Sequence, residues 1–332
     1  MSKTALLPIT ISLLVLFSFN LLMVSSVAPA FLPKQFISWL IAIFAFFIGK
    51  QTTPQRTYPI RWLLFIGSCV LLLTPIFLNT YTRGSRRWID LGFTTFQPSE
   101  VTKPFMMLFI SHGQLALIHL IPVFIIMAQP DLGSAISFLL LLTPVVLYNR
   151  QLLKIALVSL VILTAISPLI WTRVFHDYQR QRILNFINPR SDPLGKGYNV
   201  IQSKIAIGSG GLLGKGYKKG TQGQLLFLPE KHTDFIISAT IEETGLLGLL
   251  IIIGAYFTLI KNLFSKAFST TNNRSLFFFT LGIAIQIWAQ LVINIGMNLG
   301  LLPVTGIPLP FLSVGGSSVI SLLFSLGIIY SS

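Results

Sequence analysis

The chain has 332 residues, 53% of them hydrophobic and only 10% charged, with a net charge of +15. Soluble domains carry about 25% charged residues, so this composition excludes a soluble globular protein and reads as an integral membrane protein. A single cysteine, Cys69, excludes disulfide and multi-cysteine metal frameworks, and four histidines argue against a histidine-rich metal site.

The first apolar run, Leu6–Val24, is long enough to span a bilayer. No A-x-A-like cleavage site follows it, so it is expected to stay in the protein. Further runs stand at Phe36–Gly49, Trp62–Leu78, Ser134–Tyr148, Ile155–Trp171, Phe235–Ile260, Ser275–Leu299 and Ser317–Tyr330. Val101–Ala128 is too long for one untilted span. Two short helices broken at His112-Gly113-Gln114 give ten spans and one long helix gives nine; the expected count is the even one. The expectation is a single all-α polytopic bundle over residues 1–332, with a large loop at 172–233.

The loops then alternate sides. One side receives the N-terminus, Lys50–Arg61, His112–Gln114, Asn149–Lys154, Lys261–Arg274 and the C-terminus. Its connecting loops hold eight cations and no acid, whereas all nine acids lie on the other side or in spans leaving it. Long loops translocate largely regardless of charge, so the short loops decide, and they favour a cytoplasmic N-terminus. Cations placed this way point to lipid headgroups or an anionic lipid substrate, and not to nucleic acid.

The 172–233 loop exceeds what a simple channel or anchor needs. Its run Gly208-Ser209-Gly210-Gly211-Leu212-Leu213-Gly214-Lys215-Gly216 reads equally as a phosphate cradle or as a flexible re-entrant turn. It is not a Walker A loop, because Ser209 stands at the first glycine and Gly216 follows the lysine. Asp234, after His232 and Thr233, opens an apolar span and reads as a helix cap or as a functional carboxylate. Glu242 and Glu243 lie two turns deeper, where an ionisable group implies function or a buried partner. Glu100 and Lys103, spaced i, i+3, form either a bundle-stabilising ion pair or part of a polar cavity in which Lys103 reaches a phosphate. Arg87 and Trp88, with Arg86, suit the membrane interface first and a phosphate or sugar second. Lys204 has no acidic neighbour in sequence and is available to an anionic ligand. Gln286, Gln290, Asn294 and Asn298 recur every four residues as an inward polar stripe, suited to interhelical hydrogen bonds.

Taken together, Arg87-Trp88-Ile89-Asp90-Leu91-Gly92, Gln97-Pro98-Ser99-Glu100 with Lys103, and Gln129-Pro130-Asp131-Leu132-Gly133 resemble the SEDS family (shape, elongation, division and sporulation). So do Ile201–Gly216, Leu228–Phe235 and Pro308-Leu309-Pro310 with Gly315-Gly316-Ser317-Ser318, in the family's order over nearly the whole chain. Thr221–Glu230 and Gly306–Pro310 resemble the RodA branch. The chain departs at Val314, where tyrosine is usual, at Thr244, where leucine is usual, in a short His112–Gln114 connection, and in stopping almost at its last span.

The resemblance implies about ten transmembrane helices in the bacterial cytoplasmic (inner) membrane, with N- and C-termini cytoplasmic and the 172–233 loop on the cell-wall side carrying the catalytic segment. It implies a peptidoglycan glycosyltransferase that polymerises lipid II during elongation, by inverting attack of a GlcNAc 4-hydroxyl on lipid diphosphate-linked MurNAc. The family's catalytic aspartate falls on Asp234. Substrate contacts are expected from Arg87, Trp88, Glu100, Lys103, Lys204, Ser209, Gly210, Gly211, Glu230, His232 and Thr233. Implied partners are lipid II, nascent glycan on undecaprenyl diphosphate, a class B penicillin-binding protein transpeptidase and the elongation machinery. No cofactor is implied, and assistance by a divalent cation stays open. The competing readings are a lipid II flippase, which Glu242 or Glu243 and the polar stripe would serve, and a non-catalytic scaffold for a transpeptidase.

Overall fold

The computed structural model describes residues 6–78, 87–90, 95–112, 116–173, 180, 184, 186–187 and 196–331. Arg83, Arg86, Gly92, Gly113, Gln114, Asp177 and Asp192 fall outside them. The described residues are mostly helical, with one short antiparallel pair, Ile89–Asp90 against Thr95–Phe96. Lipid offers backbone groups no hydrogen bonds, so spanning segments must satisfy them internally, and helices do so.

Helices α1 (Leu6–Val27) and α2 (Leu32–Gln51) form the first hairpin, followed by α3 (Arg61–Phe77). The 101–128 stretch is two helices, α4 (Pro98–Ser111) and α5 (Leu120–Met127). Next come α6 (Leu132–Leu141) and α7 (Thr143–Tyr148), separated at Leu142 just before Pro144, then α8 (Arg150–Ala165) and α9 (Ser167–Arg173). The chain ends with α10 (Lys196–Gly210), the short α11 (Thr221–Gln224), α12 (Ile236–Ser269), α13 (Arg274–Asn298) and α14 (Gly316–Ile329). Among the described residues, Leu7–Val27, Pro29–Gln51, Ile236–Ser269 and Arg274–Asn298 are each long and apolar enough to cross a membrane alone.

Two close approaches shape the bundle. Gly49 of α2 meets the Phe324 carbonyl of α14, and Gly327 of α14 meets the Phe46 carbonyl of α2, so these helices touch backbone to backbone. Small residues permit this close packing where lipid supplies no hydrophobic drive between helices. In α12 the helix breaks at Gly245, whose φ of 69° and ψ of −167° leave helical space. That conformation is open only to glycine. At the break, Leu246 N donates to the Gly211 carbonyl (3.0 Å), while Lys215 N and Gly216 N donate to the carbonyls of Glu242 (2.9 Å) and Glu243 (3.0 Å).

The glycine run is therefore a packing device. A Cβ on Gly210 would strike the Ile241 carbonyl, and one on Gly214 the Glu243 carbonyl. The two glutamates finish the tether. Glu242 accepts from Lys215 Nζ (2.7 Å), Thr221 Oγ1 (3.0 Å), Gln222 N (2.9 Å) and Gly223 N (3.2 Å). Glu243 accepts from Ser26 Oγ (2.6 Å), Lys218 N (3.1 Å) and Gln224 Nε2 (3.1 Å). Two buried carboxylates thus bind 215–224 to α12 and α1.

Candidate active site

A cavity of about 340 Å³ opens where the loop preceding α12, the loop preceding α14 and the start of α4 meet. Asp234 stands on its wall, half-buried. The helix that follows takes Phe235 as its N-cap residue, with no side-chain cap. Asp234 is one residue outside the capping position, which weighs against the cap reading. Its main chain is held from beneath: Asn294 Nδ2 (3.2 Å) and Asn298 Nδ2 (3.0 Å) both donate to its carbonyl. The lower half of the stripe, Gln286 and Gln290, is buried in the bundle and does not touch this segment among the described contacts.

Gly306, in left-handed conformation at φ 72°, brings two charges together. A Cβ there would lie 3.5 Å from Asp234 Oδ2 and 3.8 Å from Arg87 Nη1. Arg87 is itself anchored, with Nη1 3.4 Å from Asp131 Oδ1, and Asp131 accepts from Ser134 N (3.1 Å) and Ser134 Oγ (2.8 Å). This orients a guanidinium into the cavity next to the aspartate.

Glu100 lines the same cavity, with Lys103 behind it at 2.6 Å; their exposures are 3% and 1%. Lys103 is thus committed to Glu100 and does not line the cavity. Trp88, Glu230 and Thr233 also line it, and Thr233 Oγ1 donates to Glu230 Oε2 (3.0 Å). Lys204 is exposed and lies over Gly300, a lining residue, which puts its ammonium at the rim. His232 stacks on Phe31 at 4.9 Å, and its carbonyl accepts from Val314 N (2.9 Å), outside the cavity lining. Beside it, burial pushes the Lys231 ammonium below the usual lysine range, opposed by the charge of Glu243.

Of the twelve sequence candidates, Arg87, Trp88, Glu100, Glu230, Thr233 and Asp234 line one cavity. Lys103, Lys204 and His232 adjoin lining residues. Ser209, Gly210 and Gly211 do not reach it; they end α10 and face α12, as described above. Missed by sequence reasoning were Asn199, Gln97, Ser317 and Ser318 on the wall and Asp131 behind Arg87. Gln97, Asp131, Ser317 and Ser318 all sit within the quoted motifs, and that was their signal.

The comparisons agree along the whole chain. The FtsW/RodA/SpoVE family, described as cell cycle protein, matches residues 1–332. The chain is 40% identical over 296 residues to the peptidoglycan glycosyltransferase MrdB of Escherichia coli K12, covering 84% of this chain and 79% of that protein. It is 33% identical over 323 residues to a probable peptidoglycan glycosyltransferase FtsW of Trichlorobacter lovleyi, covering 90% and 82%. Among solved structures it is similar to a chain from work on the structural coordination of polymerization and crosslinking by a peptidoglycan synthase complex. That match has a TM-score of 0.82 and 30% identity, over 97% of this chain and 95% of that one. It is also similar to the crystal structure of the Thermus thermophilus rod shape determining protein RodA, with a TM-score of 0.70 and 25% identity over 97% and 94%. The fold is that of a polytopic membrane helix bundle, and the chain belongs to the FtsW/RodA/SpoVE family.

Proposed function

We propose that this chain is a peptidoglycan glycosyltransferase of the bacterial inner membrane, which polymerises lipid II into glycan during elongation. The observation that carries this reading is that the Asp234 carboxylate and the Arg87 guanidinium flank Gly306 on the wall of one cavity. Asp234 acts as general base. It takes the proton of the acceptor GlcNAc 4-hydroxyl as that oxygen bonds to C1 of the donor MurNAc. The C1–O bond to the diphosphate breaks with its electron pair going to the leaving group, and the anomeric centre inverts. Diphosphate is a good leaving group, so the wall need supply positive charge and not a proton. Arg87 supplies it, and Lys204 adds charge at the rim. The Glu100–Lys103 pair holds the α4 wall.

Glu242 and Glu243 argue against a flippase. Each carboxylate is saturated by donors from the 215–224 segment or α1, which leaves neither free to carry protons through a transport cycle. We further propose ten spans with both termini cytoplasmic, as the motif resemblance implies, and a class B penicillin-binding protein as partner, which the likeness to a chain of a peptidoglycan synthase complex supports. The test is polymerisation of lipid II by the purified protein, with and without that partner. Glycan formed by the protein alone supports the enzyme and removes the scaffold; no glycan under either condition overturns the proposal.

A further inference from the structure

Among the described residues that line the cavity, Arg87 is the one cation, and Glu100, Glu230 and Asp234 also line it. Lys204 stands only at the rim, so along the wall itself a diphosphate needs positive potential beyond that single guanidinium. The wall provides it at the start of α14. Gly315 is the N-cap residue of that helix and supplies no side-chain cap. The N–H groups of Gly316, Ser317 and Ser318 therefore have no partner within the helix. A helix start carries about half a positive charge and favours phosphate.

A second observation points to a ligand there. Ser317 and Ser318 are only 7% and 6% exposed, and what they expose lines the cavity. Ser317 Oγ accepts from Gln97 N (3.1 Å), which leaves its own proton to donate. The Ser318 hydroxyl has no hydrogen-bond partner among the described residues. The residue is more than nine-tenths buried, and its unpartnered hydroxyl is open to a ligand in the cavity.

The helix start is also fixed relative to the base. Val314 N donates to the His232 carbonyl (2.9 Å), and Ser313 Oγ donates to the Thr233 carbonyl (2.6 Å). From the other side, Gly315 N donates to Gln35 Oε1 (3.3 Å), and Asn20 Nδ2 to the Leu312 carbonyl (2.7 Å). These bonds tie the segment leading into α14 to the two residues before Asp234 on one side and to α1 and α2 on the other. Elsewhere on the wall, carboxylates repel an anion, which leaves the first turn of α14 and Arg87 as its place.

We infer that the donor's diphosphate is seated on the first turn of α14, held by the N–H groups of Gly316–Ser318 and the Ser317 and Ser318 hydroxyls, with Arg87 on the same cavity. The inference rests on the polymerase reading and specifies where its leaving group departs. The probes are undecaprenyl diphosphate, undecaprenyl monophosphate and undecaprenol, titrated against the purified full chain in detergent micelles. Wild type prefers the diphosphate over the alcohol. Ser318→Ala weakens diphosphate binding about 10-fold, as loss of one hydrogen bond to a charged group does, and leaves undecaprenol binding unchanged. Ser318→Thr restores it, and Ser318→Asp abolishes the preference.

The seat is overturned if folded Ser318→Asp binds diphosphate like wild type. Should that variant fail to fold, the Ser317→Ala/Ser318→Ala pair decides. Diphosphate affinity within twofold of wild type then overturns the seat, and a fall beyond 10-fold supports it. Asp234→Asn separates this failure from that of the proposed function, because it removes the base and, by removing a repelling charge, does not weaken diphosphate binding. A wild type that binds diphosphate at this turn but polymerises no lipid II, alone or with the partner, would overturn the polymerase and keep the seat.

Discussion

Glu100 and Lys103 show how a single pair divides structure from chemistry. With both ends buried, deleting one partner leaves an uncompensated charge and costs about 3–5 kcal/mol. Lys103→Ala is therefore expected to lower the melting temperature in detergent as well as the rate. Glu100→Gln with Lys103→Met removes both charges together and is expected to keep the fold. Because Glu100 lines the cavity, this double variant should polymerise lipid II poorly; full activity in the folded double variant would reduce the pair to a strut. In sequence, the i, i+3 spacing gave the pairing. It could not give the depth, because the helices that cover Lys103 come from elsewhere in the chain. The same holds for Asp234. Cap and base were equally open until Phe235 was found in the capping position.

Among the elements, the α2–α14 crossing makes a steric prediction. A side chain at Gly327 would run into the Phe46 carbonyl, whereas a Cβ at Gly67 in α3 meets nothing within 4 Å. Gly327→Leu should cost about 1–3 kcal/mol or more, as overpacking does, and Gly67→Leu should be near neutral by thermal unfolding in detergent. Equal melting temperatures for the two would refute the backbone contact. The long apolar runs were legible because a bilayer admits few alternatives to a helix. Lys196–Gly210 was not read as a helix, although Gly197, Val200, Ser203, Ala206 and Gly210 are its buried face. Their spacing is helical, but small and polar residues give no apolar periodicity to see. The glycine run was ambiguous for a similar reason. Glycine serves a phosphate or a backbone neighbour equally, and that neighbour, Ile241–Gly245, lies about thirty residues on.

At the scale of the whole molecule, the acid-free set of loops and the set carrying the cavity should lie on opposite sides of the membrane. A reporter fused after Lys266 is expected to read cytoplasmic, and one within Tyr217–Gln224 to read the cell-wall side. Matching signals from both would sink the architecture. The apolar outer face, with Leu246, Leu250 and Phe257 exposed on α12, offers a surface for a partner's transmembrane helix. Co-purification with a class B penicillin-binding protein in mild detergent is the expected outcome, and its absence with both proteins well expressed would contradict the partnership. The central claim is the base, and it is tested at one atom. Asp234→Asn keeps shape and hydrogen bonding but is a far poorer proton acceptor. Lipid II polymerisation by this variant is predicted to fall about 10²–10⁴-fold, with yield, melting temperature and lipid II binding unchanged. An Asp234→Asn protein that polymerises lipid II at the wild-type rate would contradict the account.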